Sequence, residues 1–343
     1  MKREPNFDNM LAVLNRKVPD RPTLYELFLN GDLFKILCKG ETFDQTDPNF
    51  NSRITMRAYY HAGYDYVNMT ACNMTFPRNV ATKGKSISQN EVCMIDDQDS
   101  FERYQWPDPD TFDYSGLEVI GKELPGNMKI ITYGPGGVLE NVTDLMGFDN
   151  MCYMLVDDPD LLGQIFDRVG TALYGYYSHA LEHDPVGAIM LNDDWGFVQS
   201  TMLSTADMRK YVFPWHKKII ELAHQKGRPV LLHSCGNLKA VWEDMIEDMK
   251  FDAKHSFEDK IEPVEQVYEQ YSSRIAILGG IDVDFCCRAS KEDITRRAAA
   301  LLERSADRGG YALGSGNSIP AYVPPENYFA MIKAAVPDLK IDV

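Results

Sequence analysis

From residue 187 onward the chain repeats one unit five times: a short apolar run, then a longer stretch with apolar residues at helical spacing. Residues 187–191 precede a helix expected over 205–226, with Ser204 or Thr205 as its cap and Gly227 as its stop. In the same way 230–233 precede 238–249, 252–255 precede 261–271, 275–278 precede 292–308, and 311–313 precede 325–335. A strand that pairs in parallel with the one before it needs a crossover, and a helix is the usual one. Five such units in succession therefore predict a parallel sheet. The best formed runs are apolar throughout, as strands covered on both faces are.

The first half is less regular. Helices are expected over 9–16, 54–61 and 159–183, strands over 23–28, 64–68 and 129–132, and a polar, aromatic stretch fills 75–109. Eight strand-helix units close into a (β/α)8 barrel, and 343 residues accommodate one with insertions. The prediction is an α/β chain: a single (β/α)8 TIM barrel domain over 1–343, with an N-terminal helical extension and an insertion around 75–125. A doubly wound open sheet would carry a glycine-rich phosphate turn after an early strand. Gly134-Pro135-Gly136-Gly137 lacks the G-x-G-x-x-G spacing, and Pro135 removes a donor N–H.

A formal charge of −16 argues against nucleic acid, whose backbone calls for a basic stripe. No run approaches the length needed to span a bilayer, and no apolar signal segment follows the charged start, so a cytoplasmic protein with no membrane partner is expected. The seven cysteines are odd in number and scattered, which fits reduced thiols rather than a disulfide framework.

Catalytic groups of such barrels lie at the C-terminal ends of the strands. There the chain offers Asn192-Asp193-Asp194-Trp195, His233-Ser234-Cys235, His255 with Glu258, Asp282, and Asn317-Ser318. Side chains two apart on a strand point the same way, so His233 and Cys235 can reach one point, as two ligands of a soft metal such as zinc would. Each residue also has a plain reading. A buried free cysteine beside a hydrogen-bonded histidine is ordinary, aspartates cap turns and helices, and His255 suits a core. Five strand ends carrying polar groups in register are harder to dismiss.

Several segments together resemble the uroporphyrinogen decarboxylase superfamily. They are Pro214-Trp215-His216-Lys217, Leu231-Leu232-His233-Ser234-Cys235-Gly236-Asn237, Leu278-Gly279-Gly280-Ile281-Asp282, Gly310 to Asn317, Val323-Pro324-Pro325-Glu326-Asn327, and residues 9–22. The resemblance implies a (β/α)8 barrel with its site in the mouth. The superfamily includes tetrapyrrole decarboxylases and zinc-dependent methyltransferases that serve a corrinoid protein or a thiol. This chain departs from the decarboxylases in two places. It reads Leu24-Tyr25-Glu26-Leu27-Phe28-Leu29 where their arginine signature should stand, and Met69-Thr70-Ala71-Cys72 where their catalytic aspartate should follow. A substrate with many carboxylates needs cationic clamps, which these segments lack.

The methyltransferase branch carries His-x-Cys at the position of His233 and Cys235, with a further Cys in the last strand-end loop, where this chain has Asn317-Ser318. Cobalamin-independent methionine synthase, a similar barrel, carries a Glu at the spacing that Glu258 has here, 23 residues after Cys235. The resemblance thus implies zinc on His233, Cys235 and Glu258, with Asp193 or Asp282 as substitutes. Their place at the strand ends makes Asp193, Asp194 and Asp282 the expected catalytic groups, and Tyr133, Trp195, His255, Asn317 and Tyr322 the expected lining of a substrate pocket. The expected reaction moves a methyl group between a small methylated donor, such as a methoxy-aromatic, and a thiol or a corrinoid supplied by a partner protein; a homodimer is expected. Two alternatives stand: a metal-free decarboxylase using Asp193 or Asp194, and a non-catalytic corrinoid- or ligand-binding barrel.

Overall fold

Seven strands form one parallel sheet whose order in space is their order in sequence. They are β1 (Tyr66–Thr70), β2 (Lys129–Tyr133), β3 (Val186–Asn192), β4 (Val230–His233), β5 (Ala253–His255), β6 (Ala276–Leu278) and β7 (Tyr311–Ala312). This computed structural model describes residues 3–78, 90 and 93–340. Helices form every crossover, as the repeating pattern predicts. Strand interiors such as Ile130, Ile189, Leu231 and Ile277 are fully buried, because sheet neighbours and the helical layer together cover both faces.

Local chemistry sets the helix boundaries. Asp158 accepts from Leu161 N to start Pro159–Ala180, and Ser290 accepts from Asp293 N to start Lys291–Ser305. The helix expected over 205–226 is present but broken. It opens at Ser204, widens into a π turn over Met208–Val212, and resumes as Phe213–Gln225. Pro214 has no N–H to give to the preceding turn, which accounts for the widening. The helix expected over 238–249 is a 3-10 turn, Lys239–Val241, and a π turn, Asp244–Met249, closed by a left-handed Lys250.

The barrel does not close as expected. Residues 23–28 do not join the ladder as an eighth strand. On one side the segment bonds to β7 by backbone, Tyr25 N to Leu313 O at 2.8 Å and Leu313 N to Thr23 O at 2.8 Å. Its other side meets β1 through side chains: Glu26 N donates to the Tyr66 hydroxyl at 2.8 Å, and the Asn68 amide donates to Glu26 O and Leu27 O at 2.9 and 2.7 Å. A phenol and an amide fill the space a strand backbone would occupy, so the architecture is a seven-stranded parallel sheet with a side-chain seam.

The N-terminal extension is the helix Phe7–Leu14, which lies across the strand starts, with Phe7 N bonded to Asn127 O and Lys17 O accepting from Gly310 N. In the insertion around 75–125, Gln98–Arg103 and Gly116–Gly121 are helical, while residues 79–89 and 91–92 lie outside the described residues. Among the described residues no helix is long and apolar enough to cross a membrane.

Candidate metal centre

His233 ends β4 and His255 ends β5, and the two strands pair them in register. Their Nδ1 atoms lie 2.9 Å apart, and His255 Nε2 lies 3.2 Å from Ser315 O. A carbonyl only accepts, so His255 carries its proton on Nε2 and presents a bare Nδ1. His233 must then donate from Nδ1, which leaves His233 Nε2 with a free lone pair. Burial holds both rings neutral: His233 is pulled down to about 4, and His255 well below the ordinary value, the latter also by its neighbours His233 and Lys254.

That free nitrogen stands 3.7 Å from Cys235 Sγ and 4.0 Å from Asp194 Oδ1. One ligand atom from each of Asp194, His233 and Cys235 lies within 4.8 Å of the others, the one such cluster among the described residues. The same Asp194 Oδ1 accepts from Cys235 N at 2.8 Å, which ties the β3 loop to the β4 loop. Gly236 allows this close approach: at φ +86° it sits against Gly196, whose carbonyl would lie 2.1 Å from any added Cβ. Cys235 Sγ also receives Ser256 Oγ and Asn317 Nδ2, each at 3.3 Å. Burial, with the nearby Asp194 carboxylate, pushes the thiol up to about 12, so a bound cation is what would make it a thiolate.

The remaining expected residues divide sharply. Asp193 is fully buried, and its carboxylate is used up by Leu139 N at 3.1 Å, Glu140 N at 2.9 Å and His216 Nε2 at 2.8 Å. It anchors the N-terminus of the helix Val138–Met146, with Gly137 pressed so close that a Cβ there would overlap it. Trp195 is also fully buried, packed among Phe213, His216 and Phe251. Glu258 stands apart from the cluster; it lines a cavity of about 340 Å³ with Asp282, Asn317 and Tyr322. Asp282 caps Val283–Arg288 and accepts from Asp259 N at 2.8 Å. Tyr133 lies at the end of β2 against Phe28, in a separate cavity of about 300 Å³. His255 supports His233 from behind, and Asn317 touches the sulfur.

Asp194 lines the largest of these cavities, about 450 Å³, with Phe76, Arg78, Glu140, Asp144 and Met202. Glu140 was not singled out in the sequence; it lies three residues after Gly137, and its Oε2 accepts from Gly137 N at 2.9 Å while Asp193 supplies the cap that a glycine cannot. Burial and the carboxylates of Asp193 and Asp194 push Glu140 up to about 8. Arg78, the cation of this wall, is bridged to Asp144.

A sequence profile described as "Uroporphyrinogen decarboxylase (URO-D)" matches residues 7–336. The chain belongs to the uroporphyrinogen decarboxylase family. Its curated relatives are distant. A protein named uroporphyrinogen decarboxylase from Geobacter sulfurreducens is 25% identical over 224 residues, covering 63% of this chain and 62% of that protein. One of the same name from Geobacter metallireducens is 24% identical over 242 residues, 68% of each. The chain thus matches less than two thirds of the first relative's length. Among solved structures, a methyltransferase from Methanosarcina mazei superposes with a TM-score of 0.70 at 18% identity, covering 97% of this chain and 98% of that one. At that identity the likeness speaks for the fold alone.

Proposed function

We propose that this family member is a zinc-dependent methyltransferase that moves a methyl group between a small methylated donor and a corrinoid protein or a thiol. The observation that carries the reading is the convergence of His233 Nε2, Cys235 Sγ and Asp194 Oδ1, with the histidine in the tautomer that ligation requires. A nitrogen, a sulfur and an oxygen donor, with a histidine tied to a second polar group behind it, suit zinc. Glu258 is replaced by Asp194 as third ligand in this reading. The name of the Methanosarcina mazei neighbour agrees with methyl transfer.

Bound zinc would supply Lewis acidity toward the donor's heteroatom or toward a thiol acceptor. The protein's own groups do the rest. His255 and Ser315 O fix the His233 ring, Asp194 holds the Cys235 backbone, and Asn317 and Ser256 orient the sulfur. Phe76 and Met202 give the adjoining cavity an apolar wall for a small donor. The relatives' name suggests decarboxylation of a tetrapyrrole acid, but among the described residues the lining of that cavity has one arginine, Arg78, and it is already bridged to Asp144. A carboxylate-rich substrate finds no free cationic clamp among these residues.

Metal analysis of the purified protein tests this. One zinc per chain is expected, lost in His233→Ala and Cys235→Ser, with cob(I)alamin methylated by a methylated donor in its presence. Absence of zinc from the wild type, or carbon dioxide release that survives chelation, would refute it.

A further inference from the structure

Lys254 lies on β5 between Ala253 and His255, so its side chain leaves the sheet on the face opposite the His255 ring. It is buried, and among the described residues it forms no ion pair; the ammonium lies 4.5 Å above the Phe257 ring. Instead of a carboxylate it meets three backbone carbonyls: Ser234 O at 3.0 Å, His255 O at 3.1 Å, and Ser256 O. Three N–H donors and three acceptors leave the group fully satisfied. Asp194, Glu258 and Glu262 act on it through space, but none contacts it, and a buried cation held by carbonyls alone is a costly way to fill space that an apolar residue would fill more simply.

Each of the three carbonyls belongs to a residue that touches or adjoins the candidate ligands. Ser234 precedes Cys235 in the chain. Ser256 donates its hydroxyl to Cys235 Sγ and does so from φ +86°, a left-handed backbone that a residue with a Cβ adopts only under constraint. His255 orients His233. We propose that Lys254 is the positioning residue of the centre: its ammonium clamps the β4 and β5 strand tips together so that Cys235 Sγ and His233 Nε2 stand ready for a divalent cation. This rests on the metal reading above.

The test uses the full chain and added zinc(II) and cobalt(II). Lys254→Met should weaken zinc binding about 10- to 100-fold, the usual effect of losing a group that supports a ligand. It should also shift or diminish the sulfur-to-cobalt absorption band, while Lys254→Arg, which keeps charge and donors, restores most of both. Unchanged affinity and spectrum in Lys254→Met would overturn the proposal. A wild type that binds neither metal sinks the metal reading instead, and the clamp is then read without metal, in a crystal structure of Lys254→Met. Release of Ser256 from its left-handed backbone and from Cys235 Sγ supports the clamp, and retention of both overturns it. If Lys254→Met does not fold, Lys254→Gln, which keeps two donors, gives the same readings.

Discussion

Replacing His255 by Phe separates ligand orientation from fold. Phenylalanine keeps the edge contact that the His255 ring makes with Tyr25, at a centroid distance of 4.8 Å, but offers no acceptor to His233 Nδ1–H. In the metal-free variant His233 can move its proton to Nε2, where the Cys235 sulfur and Asp194 lie within reach. Ligation forbids that escape, since Nε2 must then give its lone pair to the metal and the buried Nδ1–H is left unpaired. An unpaired buried donor costs about 1–3 kcal/mol. Because the cost falls only on the loaded state, it weakens zinc binding by about 5- to 150-fold. Ser315 O keeps its bond from Gly280 N at 2.8 Å and loses only the His255 donor, in both states, so that loss does not enter the metal affinity. Zinc competition against a chromophoric chelator measures the effect, and His255→Gln, which retains an acceptor, should recover part of it. A His255→Phe protein that binds zinc within twofold of the wild type would refute the tautomer reasoning.

Asp193→Ala strands the His216 ring and two helix N–H groups in the interior, and should cost about 3–5 kcal/mol in denaturant unfolding while leaving the zinc ligands in place. Asn317→Cys puts a second sulfur one bond short of the amide nitrogen, which lies 3.3 Å from Cys235 Sγ, so a small shift brings it to the roughly 3.7 Å that separates two sulfurs on tetrahedral zinc; tighter zinc binding and a stronger sulfur-to-cobalt band are expected. Glu26 is pushed up to about 8 by burial. The folded state therefore holds this proton more tightly than the unfolded chain does. The resulting stability is fully present below about pH 4.5 and is lost as pH climbs to about 8. Melting temperatures across that window should fall for the wild type relative to Glu26→Gln.

Five strand-helix units were legible because apolar runs and helical spacing follow directly from burial on both sheet faces. The segment 23–28 shows the limit of that signal. Leu24 and Leu27 are buried as a strand's would be, but burial does not say which backbone groups pair, and here Tyr66 and Asn68 take that place. At the site, His233 and Cys235 were readable together because one strand end fixes both directions. The choice between Asp193 and Asp194 was not. Adjacent residues point opposite ways, and only the packing of His216 and the helix at Val138 decides which carboxylate is consumed. Glu258 has the expected spacing, but Phe257 N pairs with Gly316 O after the left-handed Ser256, and the chain carries Glu258 to the neighbouring cavity.

The seam between β7 and β1 also reaches the metal ligands. Glu26 closes it, and the two oxygens of that carboxylate hold Ser315 N and Ser315 Oγ, each at 2.7 Å. Ser315 O in turn fixes the proton of His255, and through it that of His233. The N-terminal segment supplies no ligand, yet it braces the loop of Ser315, whose carbonyl Gly280 N also holds, and so it reaches the histidines from the far side of the wall.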